Sequence, residues 1–230
     1  MANETTDELA HYPTIALIGG TGKEGNAIAF RFARAGVKVI IGSRDAARGE
    51  NAAREMNARI GGTNVSGTSN REAAAQADIV LLSVPYDGMK PILEDLRDVA
   101  QNKIVINIAS SLDPERKSRA KPPVAGSVTA EVQQILGDTT KVVCAFQNIS
   151  PEKLKAVDEP IDTDVIVCGG DKAARELVID LIRRTGINAI DGGVLANAVA
   201  VEAMTAILIA VNIKYKTRGA GIRITGVPRG

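Results

Sequence analysis

The sequence predicts an α/β protein with a doubly wound, mostly parallel sheet and a smaller C-terminal α/β lobe. A glycine-rich turn joins an apolar strand to a helix near the N-terminus. Beyond it, apolar runs alternate with helical patterns as far as residue 146. Several of these runs are apolar throughout, which is typical of parallel strands that are buried on both faces. Together these observations indicate a Rossmann-type fold.

The glycine-rich turn carries the pattern G-x-G-x-x-G at Gly20, Gly22 and Gly25. A strand from Thr14 precedes it, and a helix over about 23–35 follows it. In this setting the first glycine permits a tight turn, the second lets the backbone approach a pyrophosphate, and the third lets the helix pack closely on the strand. The helix N-terminus would supply free N–H groups to the phosphates. The pattern therefore predicts a dinucleotide site, with a turn that serves only packing as the alternative.

The end of the second predicted strand, Val37 to Ile41, indicates which dinucleotide is bound. NAD sites usually carry an acidic residue here that binds the ribose 2′-hydroxyl. This chain has Gly42-Ser43-Arg44 instead, with Arg48 close behind. A hydroxyl group and guanidinium groups suit a 2′-phosphate, because arginine offers a planar set of charge-assisted donors. We therefore expect NADP, although a solvated turn with a helix cap would show the same residues.

The remaining pattern divides the chain into a flexible leader (1–13), a nucleotide-binding domain (14–150) and a smaller C-terminal domain (151–230). In the last part, a strand, a helix and a strand form either a separate lobe or a continuation of the sheet. A long apolar helix over 195–215 follows them. The predicted elements are helix 46–59, strand 65–68, helix 70–77, strand 78–85, helix 88–100, strand 103–108, helix 127–136, strand 141–146, strand 164–168, helix 172–185 and strand 188–191.

Two further segments fall at the carboxyl ends of predicted strands, where ligands bind in open α/β sheets. Ser83-Val84-Pro85 follows one apolar strand, and Gln147-Asn148-Ile149 follows another. Polar amides beside an isoleucine could shape a pocket for a flat ring, or could cap the next helix. A long loop over 109–124 contains the basic run 116–121. This run either lines the cleft and attracts an anionic substrate or forms a solvated loop.

The composition argues against several classes of function. With 28 basic and 27 acidic side chains the net charge is +1, so sequence-independent binding of nucleic acid is not expected. Cys144 and Cys168 fall in apolar runs, which favours buried thiols in a reducing, cytoplasmic compartment. The only histidine, His11, lies in a polar leader, and no spacing suggests a metal site. The long apolar helix is interpreted as buried, or as part of a homodimer interface, rather than as a membrane span.

Four segments resemble the NADPH-dependent reductases of coenzyme F420, a deazaflavin: residues 19–25, 42–44, 78–85 and 165–171. The resemblance covers about residues 14–222. It implies a cleft that holds NADP and the deazaflavin face to face, and a hydride that passes reversibly between them without a catalytic side chain. Two features depart from the family pattern. Gln147 stands where the family has a histidine near the rings, and the loop 109–123 differs from the apolar, proline-containing turn of the family.

The resemblance also implies roles for individual residues. Thr21, Ser43 and Arg44 would hold the 2′-phosphate, with Arg48 as a further basic group. Gly22, Lys23 and Glu24 would border the pyrophosphate. The whole implied set for NADP is Gly20, Thr21, Gly22, Lys23, Glu24, Gly25, Ser43, Arg44, Arg48, Ser83, Val84, Pro85, Ile108 and Ala109, and that for the deazaflavin is Gln147, Asn148 and Ile149.

Two other functions remain compatible with the residues. An NADPH-dependent carbonyl or imine reductase would need a proton donor, for which Lys214 and Tyr215 on the long helix are candidates. A protein that binds NADP without catalysis is the second alternative, since Gln147 and the loop 109–123 depart from the family pattern.

Overall fold

A computed structural model describes residues 12–227 of the chain. Of the predicted leader, only Tyr12 and Pro13 belong to this range. The rest of the leader, including His11, lies outside the described residues. Tyr12 packs beneath the Arg184 guanidinium, whose central carbon lies 4.2 Å from the centre of the phenol ring.

All strands within residues 12–227 belong to one eight-stranded sheet in the order β3-β2-β1-β4-β5-β6-β7-β8. Neighbouring strands are parallel except for the pair β6 and β7. The strands are β1 Ile15–Ile18, β2 Val39–Ser43, β3 Val65–Ser69, β4 Ile79–Leu82, β5 Ile104–Asn107, β6 Lys141–Cys144, β7 Val165–Gly169 and β8 Ala189–Gly193. The helices are α1 Lys23–Arg34, α2 Ala46–Ile60, α3 Asn70–Gln76, α4 Met89–Leu96, α5 Val128–Leu136, α6 Pro151–Lys155, α7 Lys172–Arg184 and α8 Ala198–Tyr215.

Two apolar layers cover the sheet, one on each face. Alternate residues of β1 point to opposite faces, so Ile15 and Leu17 join one layer while Ala16 and Ile18 join the other. Helices α1, α2 and α7 pack on the first face, and α3, α4 and α5 pack on the second. The predicted doubly wound, mostly parallel sheet is therefore confirmed.

The second strand begins later than its sequence predicts. Gly36 takes a φ of +83°, and the Val37 N–H then donates to the Phe32 carbonyl 3.0 Å away. Val37 therefore belongs to the turn that ends α1, and the strand runs over Val39–Ser43. The shift moves Ser43 from the predicted turn into the buried end of the strand.

The C-terminal part adopts the second of the two predicted arrangements, because β7 and β8 continue the sheet. Cys144 lies directly opposite Cys168 where β6 and β7 run antiparallel, and both thiols are free and buried. The predicted division into two domains at residue 150 remains a prediction. The sheet continues across this position, from β6 to β7.

The long helix α8 crosses this part of the molecule. Its Glu202 is buried and accepts hydrogen bonds from the first turn of α5, at 2.8 Å from the Val128 nitrogen and 2.9 Å from the Thr129 nitrogen. Farther along α8, Ile207 and Ile213 are exposed. Within residues 12–227, the segment 195–215 is the one helix that is long and apolar enough to cross a membrane, judged by length and composition.

Candidate functional site

The glycine-rich turn joins β1 to α1 with Gly19 at its sharpest point. Gly19 has a φ of +72°, a conformation that side chains with a Cβ rarely adopt. Gly20 stays at negative φ, but a Cβ there would lie 2.8 Å from the Leu17 carbonyl oxygen. The tight turn that the sequence assigned to Gly20 is therefore made by Gly19, a residue the motif does not include. The doubled glycine in the sequence was the signal for it.

The other two motif glycines have the surroundings that a dinucleotide turn needs. A Cβ on Gly25 would come within 2.3 Å of the Ser83 Oγ, so only glycine lets α1 approach the end of β4 this closely. Gly22 lies beside open space, and its nearest neighbour would be the Gly19 oxygen at 3.3 Å. Gly22 is also the N-cap of α1, and no side chain caps that helix start. The first N–H groups of α1 are thus available to an anion.

The first cavity, of about 450 Å³, lies between this turn and the end of β2. Ser43 is buried at its base, whereas Arg44 and Arg48 are exposed at its rim. Asp45 caps α2 by accepting from the Ala47 N–H at 3.0 Å. The lining residues are Gly19, Thr21, Gly22, Ser43, Arg44, Arg48, Asn70, Ser83, Val84, Pro85, Gly88 and Ile92.

Asn70 was not predicted for this cavity. It is the first residue of α3, and its Oδ1 accepts a hydrogen bond from the Gly19 N–H at 3.2 Å. The side chain therefore ties the glycine turn to the neighbouring strand–helix junction. Its position directly after a strand, at the carboxyl edge of the sheet, was a usable signal.

The second cavity, of about 360 Å³, lies on the other side of the Ser83-Val84-Pro85 segment. It brings Lys23 and Glu24 together with Ile108 and Ala109. From the basic run of the long loop, Lys117 lines this cavity. Its neighbour Arg116 is exposed and does not line it. The full lining is Gly22, Lys23, Glu24, Ser83, Val84, Pro85, Tyr86, Asp87, Ile108, Ala109, Ser110, Leu112 and Lys117.

The third cavity, of about 260 Å³, lies where the end of β6 meets α8. Phe146 has a φ of +75°, and this turn follows directly after β6. Gln147 and Ile149 line the cavity, as does Glu24 from α1. The rest of the wall comes from the start of α6, from α8 and from the segment after α8: Ser150, Pro151, Glu152, Thr205, Leu208, Ile209, Asn212, Arg218 and Ala220.

Asn148 does not face this cavity. Its side chain is fully buried, and its Nδ2 donates to the Asp164 carbonyl at 2.5 Å. Its Oδ1 accepts from the Ile166 N–H at 3.3 Å. The sequence predicted a ligand contact by Asn148. The structure corrects this prediction, because both polar ends of the amide are used to hold β7.

Gln147 has one satisfied and one unsatisfied polar atom. Its Nε2 donates to the Asn107 carbonyl at 2.8 Å, while its Oε1 is buried without a hydrogen-bond partner. The Thr205 hydroxyl donates to the Gln147 carbonyl at 2.9 Å and so fixes the backbone. An orphaned buried acceptor costs free energy, and a donor from a bound molecule would relieve that cost.

Burial shifts the acid-base behaviour of two groups at the cavities. The pKa of Glu24 is raised to about 7 by burial of its carboxyl group. The pKa of Tyr86 is raised to about 12, first by burial and then by its hydrogen bond to Glu131 at 2.8 Å. Lys214 and Tyr215, the proton donors of the carbonyl or imine alternative, are exposed and line none of the three cavities.

Across residues 12–227, no group of three or more His, Cys, Asp or Glu side chains is arranged to hold a metal ion. The chemistry of the described site is that of N–H donors, arginines, amides and one buried carboxyl group.

Comparison with known proteins identifies the family. Residues 14–111 match the family model described as NADP oxidoreductase coenzyme F420-dependent. The F420-dependent NADP reductase of Methanocaldococcus jannaschii is 39% identical over 221 residues, which is 93% of this chain and 98% of that protein. That of Methanothermobacter thermautotrophicus is 38% identical and covers 93% and 95% of the two chains.

A solved structure from Arthrobacter sp. FB24 supports the fold. It superposes with a TM-score of 0.78 at 23% identity and covers 93% of this chain and 99% of the other. The glycine turn and the Ser-Arg strand end thus point to the same family as the sequence identity to the two archaeal enzymes, which extends over nearly the whole of each chain. This chain belongs to the F420-dependent NADP reductase family.

Proposed function

We propose that this protein transfers a hydride reversibly between NADP(H) and the deazaflavin coenzyme F420. The observation that carries the proposal is the 39% identity to an F420-dependent NADP reductase along nearly the whole of both chains. The match covers 93% of this chain and 98% of that protein.

The first cavity fits an adenosine 2′-phosphate. Arg44 and Arg48 place two permanent positive charges at its rim, beside the Ser43 hydroxyl at the end of β2. Among residues 12–227, no acidic side chain lines this cavity, and none of these residues therefore repels a phosphate there. The adjoining Gly22 leaves the backbone open to a pyrophosphate at the start of α1. These features support NADP over NAD.

The second and third cavities fit two stacked rings. Val84, Pro85 and Ile108 offer apolar contacts to a nicotinamide ring in the second cavity. In the third, Ile149 and Leu208 offer apolar contacts to a deazaflavin ring, whose edge carries both donors and acceptors. The unpaired Gln147 Oε1 is an acceptor for a ring N–H group. The substitution of the family's histidine by Gln147 therefore keeps a polar group at this position.

In the hydride step, the protein's part is to bind and orient the two coenzymes and to exclude water. Hydride transfer takes place between carbons of the two coenzymes and needs no protein nucleophile. What the chain supplies is proximity, since Gly22, Ser83, Val84 and Pro85 line both the first and the second cavity.

The test is to mix the purified protein with oxidised coenzyme F420 and NADPH and to follow the loss of the deazaflavin's visible absorbance. NADH serves as the control. We expect fast loss with NADPH and little with NADH. No loss of absorbance, with NADPH binding confirmed by fluorescence, would refute the deazaflavin as substrate and leave only NADP binding.

We further propose a cytoplasmic homodimer that does not insert into a membrane. Ile207, Ile213 and Tyr215 are exposed along α8, whereas the buried Glu202 holds the same helix to α5. A second copy covering these apolar side chains would remove them from water. Light scattering after gel filtration should give twice the mass of 24.1 kDa. A monomer of that mass would contradict the proposal.

A further inference from the structure

We propose that Glu24 is the proton donor for deazaflavin reduction and the proton acceptor in the reverse direction. The inference rests on the proposed function, because it assigns a role within that reaction. It concerns a residue that the phosphate-binding motif leaves unspecified, since Glu24 occupies an x position of G-x-G-x-x-G.

The position of Glu24 carries the argument. It lines the second cavity together with Val84 and Pro85, and it lines the third together with Gln147. Among the described residues, it is the one side chain common to the linings of these two cavities. A group at their shared wall lies where a nicotinamide ring and a deazaflavin ring would meet.

The chemistry requires a proton at this place. The two electrons arrive as a hydride, when a C–H bond of the dihydronicotinamide breaks and a C–H bond of the deazaflavin forms. The reduced ring then needs one proton on its pyrimidine nitrogen. Glu24 supplies it: its O–H bond breaks, the N–H bond forms, and the resulting carboxylate regains a proton from water. In the reverse direction each bond change is inverted.

The surroundings suit a carboxyl group that changes protonation state near neutral pH. Burial alone raises the pKa of Glu24, and no single neighbouring charge accounts for the shift. The charged or titratable groups that line these two cavities with Glu24 are Lys23, Tyr86, Asp87, Lys117, Glu152 and Arg218. A general acid works best when its pKa lies near the working pH.

Gln147 complements this group. Its buried Oε1 lacks a partner, so it accepts a hydrogen bond from a ring N–H but cannot release a proton. A fixed acceptor and an exchangeable proton in one cavity match the two kinds of polar atom on the edge of a deazaflavin ring. Gln147 therefore orients the deazaflavin ring, whereas Glu24 transfers the proton to it.

The test compares the wild type with Glu24→Gln and with Glu176→Gln, a change in an exposed glutamate that pairs only with Lys172 on the surface of α7. Single-turnover reduction of F420 by NADPH is followed from pH 5.5 to 9. The wild type and Glu176→Gln should slow as pH rises through about 7. Glu24→Gln should be slower by about 100-fold at low pH and should lose this dependence.

A second readout needs neither coenzyme. Infrared spectra of the free protein, titrated with pH, should show a protonated carboxyl band with a midpoint near 7 in the wild type and in Glu176→Gln but not in Glu24→Gln. Absence of that band in the wild type would overturn the inference whatever the substrate is. An unchanged pH dependence in Glu24→Gln would overturn it while leaving the proposed function intact. A wild type that binds NADPH but reduces no F420 would overturn both.

Discussion

The two halves of the cleft are built in different ways. On the proposed NADP side, backbone geometry makes the site: a glycine turn with φ of +72° at Gly19, a helix start at Gly22 and the end of β2. On the proposed deazaflavin side, side chains make it. Glu24, Gln147 and Thr205 meet there from α1, the end of β6 and α8. One side tolerates almost no change in backbone, whereas the other depends on a few polar side chains.

This difference explains why the two sides should respond differently to substitution. Losing backbone geometry removes the binding of any dinucleotide. Losing one charged side chain on the NADP rim changes which dinucleotide is preferred. Losing one polar side chain beyond the nicotinamide changes the second substrate only.

The largest effect is expected for Gly25→Val. The new Cβ would lie 2.3 Å from the Ser83 Oγ and 2.9 Å from its Cβ, so α1 would be forced away from β4. We expect a loss of about 3 kcal/mol in the free energy of unfolding and no measurable NADPH binding. Urea unfolding and fluorescence titration measure the two.

Gly170→Ala is the matched control, since a Cβ there meets nothing within 4 Å. Its stability should stay within about 0.5 kcal/mol of the wild type. A stable Gly25→Val that binds NADPH normally would show that the NADP side does not depend on close backbone packing.

A smaller effect is expected for Arg44→Ala. Removing a guanidinium from the rim of the first cavity should weaken NADPH binding by about 30-fold, because a charge-assisted hydrogen bond contributes about 2 kcal/mol. NADH binding should hardly change, since NADH has no 2′-phosphate. Arg54→Ala, an exposed arginine on α2, is the control. Equal losses for NADPH and NADH would place the Arg44 side chain elsewhere than on the 2′-phosphate.

The smallest effect is expected for Gln147→Met. This change removes a hydrogen bond to the Asn107 carbonyl, which still accepts from the Ala145 N–H at 3.2 Å, and also removes the orphaned Oε1. The free energy of unfolding should therefore stay within about 1 kcal/mol of the wild type. The KM for F420 should rise about tenfold with NADPH affinity unchanged. Gln76→Met, on an exposed position of α3, controls for added methionine, and weaker NADPH binding would contradict the assignment of Gln147 to the second substrate.

The NADP side could be predicted from sequence because its signals are local. A strand, a glycine turn, a helix and a Ser-Arg strand end follow one another within residues 15–44. Even there, the sequence placed the tight turn at Gly20, because a motif gives spacing and not φ. The position of Gly19 depends on contacts of the folded turn.

The deazaflavin side was only partly predictable because its members are distant in sequence. Gln147 and Ile149 were found from their place at a strand end, but Asn148 between them turns to β7 instead. In the sequence, Thr205 lies within a long apolar helix that has no recognisable motif. Only the packing of α8 brings its hydroxyl to the Gln147 carbonyl. The burial that raises the pKa of Glu24 is likewise a property of the folded chain and not of its local sequence.

The layout of the cavities also has a consequence for synthesis on the ribosome. The first cavity draws all its lining from residues 19–92, whereas the third needs residues as late as Ala220. Part of its wall is the Arg218 segment, whose carbonyl accepts from the Ser150 hydroxyl at 2.7 Å. During translation, every residue that lines the first cavity is therefore made well before the last residues that line the third cavity.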